Sequence, residues 1–178
     1  MVEPGRDGAP QRAKAQLDAI GEVHEFLRRD EIDHWLFGGW AVDFHAGAIT
    51  RPHDDVDLAV WADDHDRIAT ILRSSGWTHV PADDDDGGTG YVRDPVRLEL
   101  TFLVRGDDGT VQIRLRDADV TWAGGRFDFE LLELDGQRCR VLDRASLTRT
   151  KSTLRDGADE QAKDADDLGV LGGLTGPA

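Results

Sequence analysis

The residues best placed to do chemistry are two aspartates, Asp55 and Asp57, in the stretch His53-Asp54-Asp55-Val56-Asp57-Leu58-Ala59-Val60. A strand alternates its side chains, so both carboxylates emerge on one face while Val56 points into the core. Two acids side by side repel unless a cation sits between them. Mg2+, which prefers hard oxygen ligands, suits that position. Taken in isolation, the same spacing also describes an ordinary solvated strand edge.

Two neighbouring segments narrow the reading. Upstream, the apolar run His34-Trp35-Leu36-Phe37 meets Gly38-Gly39 and then a helical stretch. Glycine lets backbone approach a ligand closely, and free amides at a helix start favour phosphate. An ordinary strand–helix turn would look the same. Downstream, Val96 to Phe102 alternates, with Leu98, Leu100 and Phe102 on one face and Arg97, Glu99 and Thr101 on the other. If that strand lies beside Asp55–Asp57, Glu99 presents a third carboxylate. Three acids can hold two metals about 3.5–4 Å apart, clamping the attacking and leaving oxygens of an in-line displacement. The alternative for Glu99 is a solvent-facing residue paired with Arg97 or Arg93.

Stepping outward, the hydrophobic pattern predicts the elements that must hold these groups. Leu17, Ile20, Val23, Phe26 and Leu27 predict a helix over about 11–29, after a frayed tail over 1–10. Strands are expected at 34–37 and 56–61, with one or two helical turns between them from Trp40 to about His45, closed by Gly47. Asp63-Asp64 is expected to cap a helix carrying Ile68, Ile71 and Leu72. Asp83 to Gly88 reads as a solvated acidic loop. A hairpin around Asp94-Pro95 and further strands at 111–115, 127–134 and 138–142 precede helices at about 146–155 and 160–171. The division expected is a tail (1–10), an α+β sheet domain (11–142) and a helical C-terminal segment (143–178).

Bulk properties bound the partners. Lys plus Arg total 21 against 36 Asp plus Glu, a formal net charge of −15. Nucleic-acid binders need a basic face, so this balance argues for cationic small molecules and against DNA or RNA. No apolar run approaches the roughly 20 residues that span a bilayer. The first residues have no apolar h-region, which argues against a secretory signal. The single cysteine, Cys139, excludes an internal disulfide framework and reads as a small residue in a β-rich segment. A cytoplasmic setting is expected.

Gly38-Gly39-Trp40-Ala41-Val42-Asp43, with Arg51-Pro52-His53-Asp54-Asp55-Val56-Asp57-Leu58, resembles the signature of small antibiotic nucleotidyltransferases. The likeness is to the aminoglycoside 2''-nucleotidyltransferase and lincosamide nucleotidyltransferase group of the polymerase-β-like superfamily. Lys163-Asp164-x-x-Asp167-Leu168 also resembles that group. The likeness thus extends over 15–172, with only the strand pattern matching in 75–140.

The resemblance implies the polymerase-β-like nucleotidyltransferase fold, a mixed sheet flanked by helices. Asp55 and Asp57 would coordinate Mg2+ on a nucleoside triphosphate, and Gly38 and Gly39 would cradle its phosphates. Glu99 would bind the catalytic metal or accept the substrate hydroxyl's proton, although relatives carry Asp at such a position. Arg51 would meet phosphate, or form a salt bridge with Asp43 or Asp54; His53 would orient by hydrogen bonding and Asp54 would be structural. Lys151 shares an apolar stripe with Leu147 and Leu154, and would either reach the triphosphate or snorkel to solvent. Lys163 and Asp167 read as an exposed i, i+4 pair. The implied activity is transfer of AMP from ATP to an antibiotic hydroxyl, releasing pyrophosphate, with a polycationic aminoglycoside suiting the acidic chain. Alternatives are a lincosamide acceptor, a protein hydroxyl, or a non-catalytic nucleotide-binding module. The active unit would be a monomer or homodimer.

Overall fold

The computed structural model describes residues 8–85, 87–114, 120–122, 128–153 and 157–174. Apolar side chains at three- and four-residue spacing wind Gly8–Arg29 into α1. Leu17, Ile20, Val23 and Leu27 are buried on its inner stripe. Each such side chain contributes about 1.5–3 kcal/mol by leaving water. Strand β1 (His34–Phe37) runs directly into α2 (Gly38–Ala46), which stops at Gly47 in the left-handed conformation. β2 (Val56–Trp61), a 3-10 turn at Ala62–Asp64, and α3 (His65–Ser74) follow. Next come β3 (Thr78–Asp85), β4 (Gly88–Arg93), β5 (Val96–Arg105), β6 (Val111–Ile113), β7 (Val120–Thr121), β8 (Phe129–Leu134) and β9 (Gln137–Leu142). The chain closes with α4 (Arg144–Ser152) and α5 (Ala158–Gly173).

Among the described residues the strands form one mixed sheet in the order β3-β4-β5-β2-β1-β9-β8, with β6 and β7 added beyond the end of β5. β2 is antiparallel to β1 and parallel to β5. Val56, Leu58 and Leu98 face α1 together with Trp77. The intervening positions, Asp57 and Glu99, therefore face the other side, where α2, α4 and α5 gather. Mixed pairing is what places the first residue of α2, the start of β2 and the start of β5 at one edge.

Several expected elements differ in detail. Asp64 precedes α3 but makes no side-chain cap; its carboxylate takes Arg67 instead, at 2.7 Å. The expected acidic loop is largely strand, because β3 runs to Asp85 and pairs with β4 through Asp85↔Gly88. β3 is a sheet edge, where charged side chains stay solvated without preventing pairing. Asp84 there accepts from Thr89 Oγ1 at 2.5 Å and lies 2.7 Å from His79 Nε2, so its charge is met within the sheet. Burial on β5 passes from Leu98 and Leu100 to Leu103, leaving Phe102 half-buried against His65. Of the expected N-terminal tail, Gly8–Pro10 belong to α1, and residues 1–7 lie outside the described residues. Among the described residues, no helix is long and apolar enough to cross a membrane.

Candidate active site

The site starts from strand register. Asp57 stands opposite Phe37 on β1 and opposite Glu99 on β5. Asp57 thereby lies between the first residues of α2 and the Glu99 carboxylate. Gly38 opens α2 at φ +68, and a Cβ there would overlap the Asp57 carboxylate. Only glycine supplies both the left-handed backbone and the missing atom. At Gly39 an added Cβ would lie 2.5 Å from His53 Nδ1 and 2.6 Å from Arg51 Nη2. Phe37, at the N-cap of α2, gives no side-chain cap, so no cap side chain competes for the first-turn amides.

The segment that delivers Asp55 is pinned from two helices. The buried Asp43 of α2 accepts from the backbone amide of Thr50 at 3.0 Å and from its hydroxyl at 2.5 Å. The other oxygen of Asp43 lies 2.6 Å from His53 Nε2. The His53 ring packs on Trp40, with centroids 4.7 Å apart. From α1, Gln16 donates to the His53 carbonyl at 3.2 Å and Arg12 to the Asp54 carbonyl at 2.5 Å. His53 is thus an orienting group, and Asp43 is the anchor that organises it.

Burial pushes the Asp55 carboxyl above its ordinary value, and the nearby charges of Glu99 and Asp54 push it the same way. Among the described residues no hydrogen bond reaches that carboxylate. Glu99 is half-exposed and accepts from Arg97 Nε at 2.9 Å. Both sequence readings of Glu99 hold together: it faces the acids and it pairs with Arg97. Asp55, Asp57 and Glu99 line the same cleft and offer oxygen donors of the kind a hard divalent cation takes.

Helices α4 and α5 close the opposite wall. Lys151 is buried, with Nζ 3.0 Å from Asp164 and 2.7 Å from Asp167. Arg51 grips the same Asp167 through Nε and Nη2, both at 3.1 Å. Burial opposes ionisation of Asp167, but hydrogen bonds from Arg51 and Lys151 outweigh it and hold the carboxyl below its ordinary value. The expected pairing of Arg51 with Asp43 or Asp54 is therefore replaced by Asp167. The expected exposed pair of Lys163 and Asp167 does not form either: Asp167 is buried, and Lys163 Nζ lies 3.1 Å from Glu160 and 3.4 Å from Asp54. Lys151, expected to snorkel or to reach an anion, is held by two acids of its own fold.

These groups share one cleft of about 490 Å3. Gly38, Gly39, Asp55, Asp57, Glu99, Arg51 and Lys151 all line it. Lys163, Thr101 and Trp122 also line it. Sequence reading missed Trp122, which follows the two-residue strand β7, too short to carry periodicity. Its indole donates to Thr150 at 3.1 Å and meets Phe37 edge-on at 5.2 Å between centroids, giving the cleft an apolar wall.

Residues 19–171 match the family model described as aminoglycoside-2''-adenylyltransferase. Over 61 residues the chain is 38% identical to a 2''-aminoglycoside nucleotidyltransferase of Escherichia coli. It has the same identity over the same length to one of Klebsiella pneumoniae, and each match covers 34% of this chain and 34% of the relative. In these matches the chain spans about a third of the length of the curated relatives. Among solved structures, the lincomycin-bound lincosamide antibiotic adenylyltransferase LnuA superposes with a TM-score of 0.66 at 16% identity, over 86% of this chain and 94% of that one. ANT(2'')-Ia in complex with adenylyl-2''-tobramycin gives 0.67 at 16% identity, over 88% and 87%. Likeness at this identity establishes the nucleotidyltransferase fold.

Proposed function

The chain belongs to the aminoglycoside-2''-adenylyltransferase family, and from that premise we propose that it transfers the adenylyl group of ATP to a hydroxyl of an aminoglycoside. The observation that carries the reading is the convergence of Asp55, Asp57 and Glu99 beside the Gly38-Gly39 turn in one cleft.

In this reading the first-turn amides of α2 hold the triphosphate, with the Gly38 and Gly39 positions letting phosphate oxygens approach the backbone. Lys163, half-exposed in the cleft, adds positive charge to the same side. Arg51 and Lys151 line the nucleotide side while their charges are anchored on Asp167, so they fix the wall as well as adding field. Asp55, Asp57 and Glu99 would hold Mg2+, which when bound neutralises charge on the triphosphate and on the attacking oxygen. An acceptor hydroxyl oxygen attacks the α-phosphorus, forming a new P–O bond as the bond to the bridging oxygen breaks. Pyrophosphate leaves with that bond's electron pair, and the hydroxyl proton passes to the Glu99 carboxylate. Positioning and electrostatics do most of this work.

The net charge of −15 favours a polycationic acceptor over a lincosamide. Pyrophosphate release with ATP and Mg2+ across a panel of aminoglycosides and lincosamides tests the assignment. Release with one or more aminoglycosides is expected. Release with lincosamides alone would replace the acceptor, and release with neither would sink the antibiotic reading.

A further inference from the structure

On the α1 side of the sheet, away from the cleft, three potential ligands meet from three elements. His24 comes from α1, His34 from the start of β1 and Cys139 from β9. All three are buried, and their donor atoms lie within 4.8 Å of one another. His34 and Cys139 are brought together by the parallel pairing of β1 with β9. Each precedes by two residues one member of the paired Leu36 and Val141. None of the three takes part in the cleft chemistry.

The hydrogen bonds fix the protons. His34 Nδ1 lies 2.9 Å from the Ile32 carbonyl, so it carries the hydrogen and Nε2 carries the lone pair. His24 Nδ1, 2.8 Å from His34 Nε2, is then the donor. Orientation of an imidazole by a backbone carbonyl on its far nitrogen is the support that metal-binding histidines use.

We propose that His24, His34 and Cys139 form a buried three-coordinate site for a soft monovalent metal ion, Cu(I). On binding, the Cys139 thiol releases its proton to solvent and the sulfur bonds the metal. His24 shifts its proton from Nδ1 to Nε2, so that Nδ1 and His34 Nε2 both become ligands. Copper stays Cu(I) throughout. Metal–ligand bonds of roughly 2.0–2.3 Å hold the ligand atoms of a three-coordinate site roughly 3.5–4 Å apart, so binding parts His24 Nδ1 and His34 Nε2, now 2.8 Å apart, and replaces their hydrogen bond. Charge selects the ion. A thiolate and a monovalent cation sum to zero, whereas a divalent ion leaves a net positive charge in an interior whose nearby arginines, Arg28, Arg138 and Arg140, are already met by Glu25, Glu133 and Asp33. Thiolate with imidazole suits Cu(I) or zinc on softness alone; neutrality decides between them.

The test is anaerobic titration of the full chain with Cu(I) held by bicinchoninate, a coloured chelator. One copper per chain should leave the chelator, the melting temperature should rise, and X-ray absorption should fit one sulfur and two nitrogens. Cys139→Ala and His34→Gln, each checked for folding by circular dichroism, should bind at least about a hundredfold more weakly. Asp57→Asn should bind as the parent does. Failure of the unaltered chain to take copper, a copper spectrum without sulfur, full binding by folded Cys139→Ala, or tighter Zn2+ than Cu(I) binding would each overturn the proposal. Should both variants fail to fold, the ligand set of the unaltered chain decides the matter.

Discussion

Asp57 and Glu99 are direct neighbours on parallel strands β2 and β5, forty-two positions apart in sequence but opposite in register. Asp55 lies two residues before Asp57, and its carboxyl is pushed above its ordinary value by burial and by the charges of Glu99 and Asp54. A cluster of this kind lowers the stability of the folded chain until a cation arrives. The same repulsion that destabilises it raises its affinity for metal.

Divalent metal should therefore stabilise the protein in a pH-dependent way. The folded-state pKa of Asp55 is raised, so its effect favours folding at low pH and is lost as pH rises through that value. Without metal, Asp55→Asn should raise the melting temperature near pH 8. Added Mg2+ should raise the melting temperature of the parent near pH 8, less so as pH falls and Asp55 protonates, and hardly at all in the variant. Thermal melts across pH, with and without Mg2+, read all of these outcomes.

Gly38→Ala should lose both stability and activity. The left-handed backbone alone costs about 1–2 kcal/mol, and the new methyl displaces the Asp57 carboxylate. For a chain of this size about 1 kcal/mol shifts the melting temperature by roughly 2–4 °C. Turnover should fall much further than that drop in stability accounts for. A variant with normal turnover would show that the close approach of Gly38 to Asp57 is not required.

Asp167→Asn should be a stability variant first. Asp167 holds Arg51 and Lys151 together in a buried cluster. Breaking a buried ion pair typically costs about 3–5 kcal/mol, so the melting temperature should fall on the order of 10 °C. Because its folded pKa is depressed, the contribution of Asp167 is fully present above the unfolded carboxylate value near about 4 and fades as pH falls below it. The gap between parent and variant in urea titrations should thus narrow below about pH 4. An unchanged gap there would contradict the ion-pair account.

Lys163→Gln should raise KM for ATP about tenfold with a smaller change in kcat, because a hydrogen bond to a charged group contributes about 1.5–3 kcal/mol. Lys163 is partly exposed and, among the described residues, bonds the surface acids Asp54 and Glu160, so the melting temperature should hardly move. Steady-state kinetics against ATP decide it. An unchanged KM would remove Lys163 from the nucleotide side.

Much of this was legible in the sequence because it is local. The run His34–Phe37 into Gly38-Gly39, the alternation of Val56–Trp61, and the hydrophobic stripe of α1 each predict an element close to where it lies. The placement of Glu99 followed from alternation plus one assumption, that β5 lies beside β2, and the register bears out that pairing. What the sequence could not reveal is which charges pair across long separations. Arg51 and Lys151 meet on Asp167 because α4 and α5 fold back onto the loop after α2, and no periodicity encodes that contact. The acidic run at 83–85 looked like a loop because acids disfavour strands, yet an edge strand tolerates them where one side stays wet. The strand that precedes Trp122, Val120–Thr121, is too short to leave a pattern.

The central claim is that the acids of the cleft drive adenylyl transfer. Its most direct test is mass spectrometry of aminoglycosides incubated with ATP, Mg2+ and either the parent or Asp57→Asn, which keeps shape and removes one charge. The account predicts an aminoglycoside carrying one added adenylyl group, one pyrophosphate per product, and a rate at least about a hundredfold lower in the folded variant. Full turnover by Asp57→Asn would contradict it.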